Sequence, residues 1–178
     1  MSLAVATATF TVTAYLTDNR VEIAGVDIVQ QDPKGDDLII ESINKDWIRV
    51  SYPDIGFSFE APAGLDVDKD LGRFSLRGKG MFVDIVYKTS SSLTPETANE
   101  FLTTSMESTK KFTEESKTEI KGATATSWEH KNGMQHHTRY IVGKNRYVRL
   151  KFYYWDDKKD IYDKSAKRVL KSMKLTDK

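Results

Sequence analysis

The chain has 178 residues, a mass of 20.3 kDa and a net charge of +1, with 39% hydrophobic and 30% charged residues. That is enough for one ordinary domain with a real core, and the balance excludes a disordered chain. There is no cysteine, so disulfides, thiolate chemistry and Cys-ligated zinc are excluded, and no apolar run approaches the ~20 residues of a helical membrane span.

The small net charge hides a gradient. Residues 1–70 carry 5 Lys/Arg against 13 Asp/Glu, whereas residues 139–178 carry 13 against 5. Such asymmetry marks either an anion-binding face or an acidic half packed beside a basic one. The second reading is favoured, because no overall basic excess points to nucleic acid. Met1–Leu3 followed by AVATATF lacks the basic start and long apolar stretch of a signal peptide. The remaining alternatives are a cytoplasmic protein and the mature part of an exported one, and the Ala/Thr-rich opening favours export to the periplasm or cell envelope.

Phe10–Leu16 (FTVTAYL) reads as a strand by its β-branched and aromatic alternation, and Val21–Val29 as a second. Asp32-Pro33-Lys34-Gly35 has turn chemistry. Asp37–Trp47 is compatible with a short strand or a helical turn. Residues 1–46 therefore read as a β-rich extension, usable as an appended hairpin, a partner-binding arm or a homodimerising strand. From Trp47 the signals sharpen: a strand at Ile48–Tyr52, extended chain at Phe57–Phe59, and strands at Gly72–Arg77 and Met81–Lys88 flanking Gly78-Lys79-Gly80. Alternation puts Phe82, Asp84 and Val86 on one face and Met81, Val83, Ile85 and Tyr87 on the other. Gly-Lys-Gly lacks the spacing of a phosphate loop and reads as a hairpin turn.

Thr94-Pro95 opens a helix expected over about 94–112, with Thr as N-cap and Pro at the first helical position. Glu114–Lys121 reads as a charged connection. Asp156-Asp157 is expected to cap a second helix over about 157–173, with Ile161, Ala166, Val169, Leu170 and Met173 buried.

Between these helices Ala123–Trp155 reads as a three-stranded meander. Asn132-Gly133 is a strong two-residue hairpin signal, since a type I′ turn needs positive φ twice. It sets Glu129 opposite His136 and Trp128 opposite His137. A two- or four-residue loop at Lys144-Asn145 sets His136 opposite Tyr153 and His137 opposite Phe152. One face, with Trp128, His137, Ile141, Val148, Leu150 and Phe152, is expected to be core.

The other face carries the row Glu129–His136–Tyr153, with Tyr140, Arg149 and Lys151 further along. Glu129, His136, Tyr153, Arg149 and Lys151 are the candidate ligand-binding residues. Glu129 beside His136 would raise the imidazole pKa and orient the ring for acid–base work. With no nucleophile or oxyanion motif alongside, an ordinary polar row is the better reading, and no catalytic residue is assigned. Adjacent His136 and His137 point to opposite faces, and His130 and His137 find no third ligand, so neither metal nor cofactor is expected. Arg139, Arg146, Arg149 and Lys151 interleave with tyrosines, but a solvated strand face explains them without nucleic acid.

The run IGFSFEAPAGL (Ile55–Leu65) resembles the G-[FY]-S-[FI]-x-x-P-x-G-W motif of the PsbP/Mog-like superfamily. MFVDIVY, the helix from Thr94, RLKFYYW and the Lys171–Leu175 tail follow in the family's order, so the resemblance covers about residues 47–176. It departs at Leu65, where Trp is common, and over residues 1–46. The resemblance implies an α+β fold, an α/β/α sandwich with a central, mainly antiparallel sheet over residues 47–178. It also implies a non-catalytic accessory module that binds a protein or a small ligand, with no residue-level site carried over. Two other readings stay open: a small enzyme using the Glu129–His136–Tyr153 row, and a homodimer built on the N-terminal segment.

Overall fold

The computed structural model describes residues 20–23, 26–29, 38–70, 73–110 and 115–176. The strand expected at Phe10–Leu16 and the turn at Asp32–Gly35 lie outside these residues. Thirteen strands and two helices are described: β1 (Arg20–Ile23), β2 (Val26–Val29), β3 (Ile39–Asn44), β4 (Trp47–Tyr52), β5 (Phe57–Pro62), β6 (Asp66–Asp70), β7 (Arg73–Gly78), β8 (Met81–Thr89), α1 (Ala98–Lys110), β9 (Glu115–Lys121), β10 (Thr124–Lys131), β11 (Met134–Gly143), β12 (Arg146–Trp155), α2 (Lys159–Ser172) and β13 (Lys174–Leu175). The large sheet runs β1-β2-β8-β12-β11-β10-β9, with the β6–β7 hairpin also paired to β8. The smaller sheet runs β13-β5-β4-β3, and every pairing is antiparallel.

The fold is α+β, with the large sheet between two layers. On one face, α2 and the small sheet enclose the main core, where Val83, Val148, Leu150, Phe152 and Tyr154 from the large sheet meet Phe57, Phe59, Ala166 and Val169. On the other face, Phe101, Leu102 and Met106 of α1 cover Ala125, Tyr140, Val142 and Tyr147, and the Phe101 and Tyr147 rings lie 4.9 Å apart. The acidic and basic halves do pack together. Arg168 of α2 donates to Glu60 of β5 at 2.9 Å and lies 3.9 Å over the Trp47 ring.

The meander has the expected register at both turns: Glu129 faces His136, Trp128 faces His137, His136 faces Tyr153 and His137 faces Phe152. Asn132 and Gly133 both take positive φ, at 54° and 68°. Lys79-Gly80 is likewise a hairpin turn, and Met81, Val83, Ile85 and Tyr87 face the core as alternation requires. Gly56 of the IGFSF run has φ 61°, and an added Cβ would stand 2.6 Å from the Thr176 carbonyl oxygen. That close approach lets the C-terminal tail lie along β5 as β13, with the Thr176 amide donating to the Gly56 carbonyl at 2.9 Å.

Several expectations fail for physical reasons. Val21–Val29 is not one strand but the antiparallel pair β1–β2, with Ile23 opposite Val26. Glu114–Lys121 is no loose connection, because Glu115–Lys121 is β9, the edge of the large sheet. Its exposed charged side chains suit an edge that must not recruit another strand. The all-polar β6 was missed for want of any apolar alternation. α1 begins at Ala98, one turn after Thr94. The Thr94 and Thr97 side chains instead bond each other's backbone amides at 3.0 and 3.4 Å.

In α2, Ile161 is 61% exposed and Tyr162 takes the buried place. The spacing 162, 166, 169, 170, 173 forms the helical stripe, and Ile161 lies about 100° off it. Nor does Asp156 cap this helix, since its carboxylate is bound by Gln135 and His130 of the meander.

Candidate functional site

Strand pairing brings Glu129, His136 and Tyr153 into one cross-strand row on the α1 side of the large sheet, and extends it to Phe82 of β8. The rings stack: Phe82 on Tyr153 with centroids 5.0 Å apart and His136 on Tyr153 at 5.4 Å, with interplanar angles of 13° and 21°. All three rings are half-buried, whereas Glu129 is buried. The next row holds Ser127, Thr138, Lys151, Asp84 and Ser75, of which both serines and the threonine are buried. The Lys151 ammonium lies 5.8 Å from the Tyr153 ring centroid. Arg149 is one row further, level with Tyr140, where the core beneath α1 begins.

The expected acid–base coupling is overturned. Burial, reinforced by the Lys151 charge, lowers the His136 pKa to about 4, so the ring is neutral at pH 7. Its buried Nδ1 has no hydrogen-bond partner. The Glu129 carboxylate acts instead on Lys151, whose pKa burial lowers while Glu129 and Asp84 partly restore it. Sequence reasoning omitted Phe82 from the row, although the predicted face of its strand contained the signal.

On the α2 side the structure assembles a second polar group. Trp128 Nε1 donates to Gln135 Oε1 at 2.8 Å, Gln135 Nε2 donates to Asp156 Oδ1 at 2.6 Å, and His130 Nε2 meets Asp156 Oδ2 at 2.7 Å. Beside this chain, buried His137 places Nε2 3.1 Å from the Tyr154 hydroxyl and 3.6 Å from Asp163 Oδ1. Burial lowers the His137 pKa to about 4, opposed by Asp163. Thus the three histidines serve two faces and three environments. Among the described residues no three His, Cys, Asp or Glu side chains converge as a metal site, and no helix is long and apolar enough to cross a membrane.

No family model matches the chain, and no curated protein does. Among solved structures it is similar to cyanobacterial PsbP (CyanoP) from Synechocystis sp. PCC 6803, determined in solution. The TM-score is 0.49 at 9% identity, over 75% of this chain and 94% of that one. The likeness is one of fold.

Proposed function

We propose that this chain is a non-catalytic binding module that docks a polypeptide partner on the α1-side sheet face. Glu129, His136, Tyr153, Arg149 and Lys151, with Phe82, supply the contacts. The observation that carries the reading is the stacked Phe82–Tyr153–His136 ladder, left half-exposed on rigid central strands. Aromatic rings fixed by stacking offer a partner apolar area at little entropic cost, and Lys151, Asp84 and Arg149 beside them supply charged contacts. A neutral, ring-stacked His136 with a partnerless Nδ1 suits such a contact better than proton transfer. An exported location, consistent with the Ala/Thr-rich opening, is part of this reading.

Photo-crosslinking in the native host tests it. A crosslinking residue in place of Tyr153 should give a discrete protein adduct, and the same residue in place of exposed Ile161 should not. Lys151→Glu should reduce the Tyr153 adduct about tenfold, as loss of a charge beside a contact does. Equal labelling from the two positions would refute the docking face.

A second reading, homodimerisation through the N-terminal segment, draws on β3. This strand ends the small sheet among the described residues, and Ile39, Ile40 and Ile43 are 47%, 46% and 38% exposed. Apolar edge strands recruit further strands. Sedimentation should then show a dimer for the full chain and a monomer for Ile40→Lys, whereas monomers in both cases would remove the idea.

A further inference from the structure

The large sheet's other face carries a groove of about 450 Å³, between the C-terminal half of α2 and strands β9 to β11. It is unrelated to the proposed docking face, from which the sheet separates it. Trp128 and Leu170 contribute apolar surface, and Lys117, Arg139, Lys167 and Lys171 bring four cations from three elements. Glu119 is the single carboxylate among the lining residues, and it is held by Lys121 at 2.6 Å. Lys167 is paired with Asp163 at 2.6 Å. Lys117 and Lys171 have no such ion pair among the described residues.

Arg139 occupies an unusual position. Its Nη1 donates to the Leu170 carbonyl at 2.6 Å and more weakly to that of Lys171 at 3.4 Å, so the guanidinium meets the negative end of the α2 dipole. Its Nε is buried with no hydrogen-bond partner. Leaving a charged donor unsatisfied is costly, and an acceptor brought into the groove would relieve that cost. Trp128 is also preorganised, because its indole N–H is bound to Gln135 and Gln135 to Asp156. A ring held by its polar edge presents its apolar surface without further ordering.

We propose that this groove binds a small organic anion whose apolar or aromatic body lies against Trp128 and Leu170 and whose carboxylate meets Arg139, Lys117 and Lys171. The cations alone would suit any anion, whereas the apolar floor selects one that carries hydrophobic surface.

Calorimetric titration of the full chain with 2-naphthoate tests this, with neutral 2-naphthylmethanol and inorganic phosphate as separate arms. The expected result is saturable 2-naphthoate binding, weakened at least about tenfold for the neutral alcohol and for phosphate. Lys117→Glu and Lys171→Glu, both at exposed positions, should each weaken naphthoate about tenfold while the melting temperature stays unchanged. Trp128→Leu should weaken naphthoate but leave any residual phosphate binding as it was. The proposal is overturned if naphthoate does not bind at millimolar concentration, if the alcohol binds equally well, or if phosphate binds as tightly as naphthoate. Charge reversals without effect would also overturn it.

Discussion

Acidification from pH 6.5 to pH 4 is expected to cost the fold several kcal/mol, about 3 for each of His136 and His137. Both rings are held neutral by burial, with pKa values lowered from 6.5 to about 4, whereas in the unfolded chain they titrate at the ordinary value. Between those limits the unfolded state binds more protons than the folded one. Stability is therefore full above about pH 6.5 and falls with pH until the folded rings are themselves protonated near 4.

Partners on both faces set the size of the effect. For His136, Lys151 and Lys131 add repulsion to burial. For His137, Asp163 opposes burial while Lys159 and Lys167 assist it. Asp156 and Asp163, whose hydrogen bonds lower their pKa values, release their own stabilisation only below the ordinary carboxylate range. Urea unfolding of the wild type and of the double variant His136→Gln/His137→Gln, each from pH 7 to pH 4.5, separates the contributions. The variant should lose most of the dependence in this window. Parallel curves would show that neither imidazole is held neutral by the fold.

Phe152→Ala should destabilise the protein by about 3–5 kcal/mol and lower its melting temperature by about 8–15 °C, whereas Phe82→Ala should cost about 1 kcal/mol. The two rings sit on adjacent, paired strands and on opposite faces of the sheet. Phe152 is 0% exposed within the main core, so truncation leaves a cavity that its neighbours on β8, β11 and α2 cannot fill without moving. Phe82 is half-exposed and loses mainly its stacking on Tyr153. Chemical denaturation of both variants measures the difference. Similar losses would mean that the α1-side ladder is core instead of surface, and would count against the docking face.

Legibility in the sequence followed the range over which each signal acts. Asn132-Gly133 fixed the register of β10 and β11 because a two-residue turn leaves one pairing, and the pairing with β12 followed from the next loop. Alternation in Met81–Lys88 assigned its two faces, since one was to be buried. Where nothing was to be buried, alternation vanished: β6 and β9 are polar strands and read as loops or connections. Without β9 the groove had no wall, so Lys117 never entered the candidate set. Asp156 looked like a helix cap because its position before α2 was visible in the chain, while its partners Gln135 and His130 lay more than twenty residues away.

The sequence by itself determined the α+β character, the meander and its register, the split of the histidines between faces, and the absence of cysteine chemistry. Each of these rests on local geometry, on residue types or on their spacing. Only the tertiary structure decided what those faces meet. α1 covers one end of its sheet face and leaves the Phe82–Tyr153–His136 ladder half-exposed. On the other side, α2 closes over the core and, against β9 to β11, leaves a cationic groove. The pKa of a histidine and the presence of a groove depend on burial and on charges brought from distant segments, which no local pattern encodes.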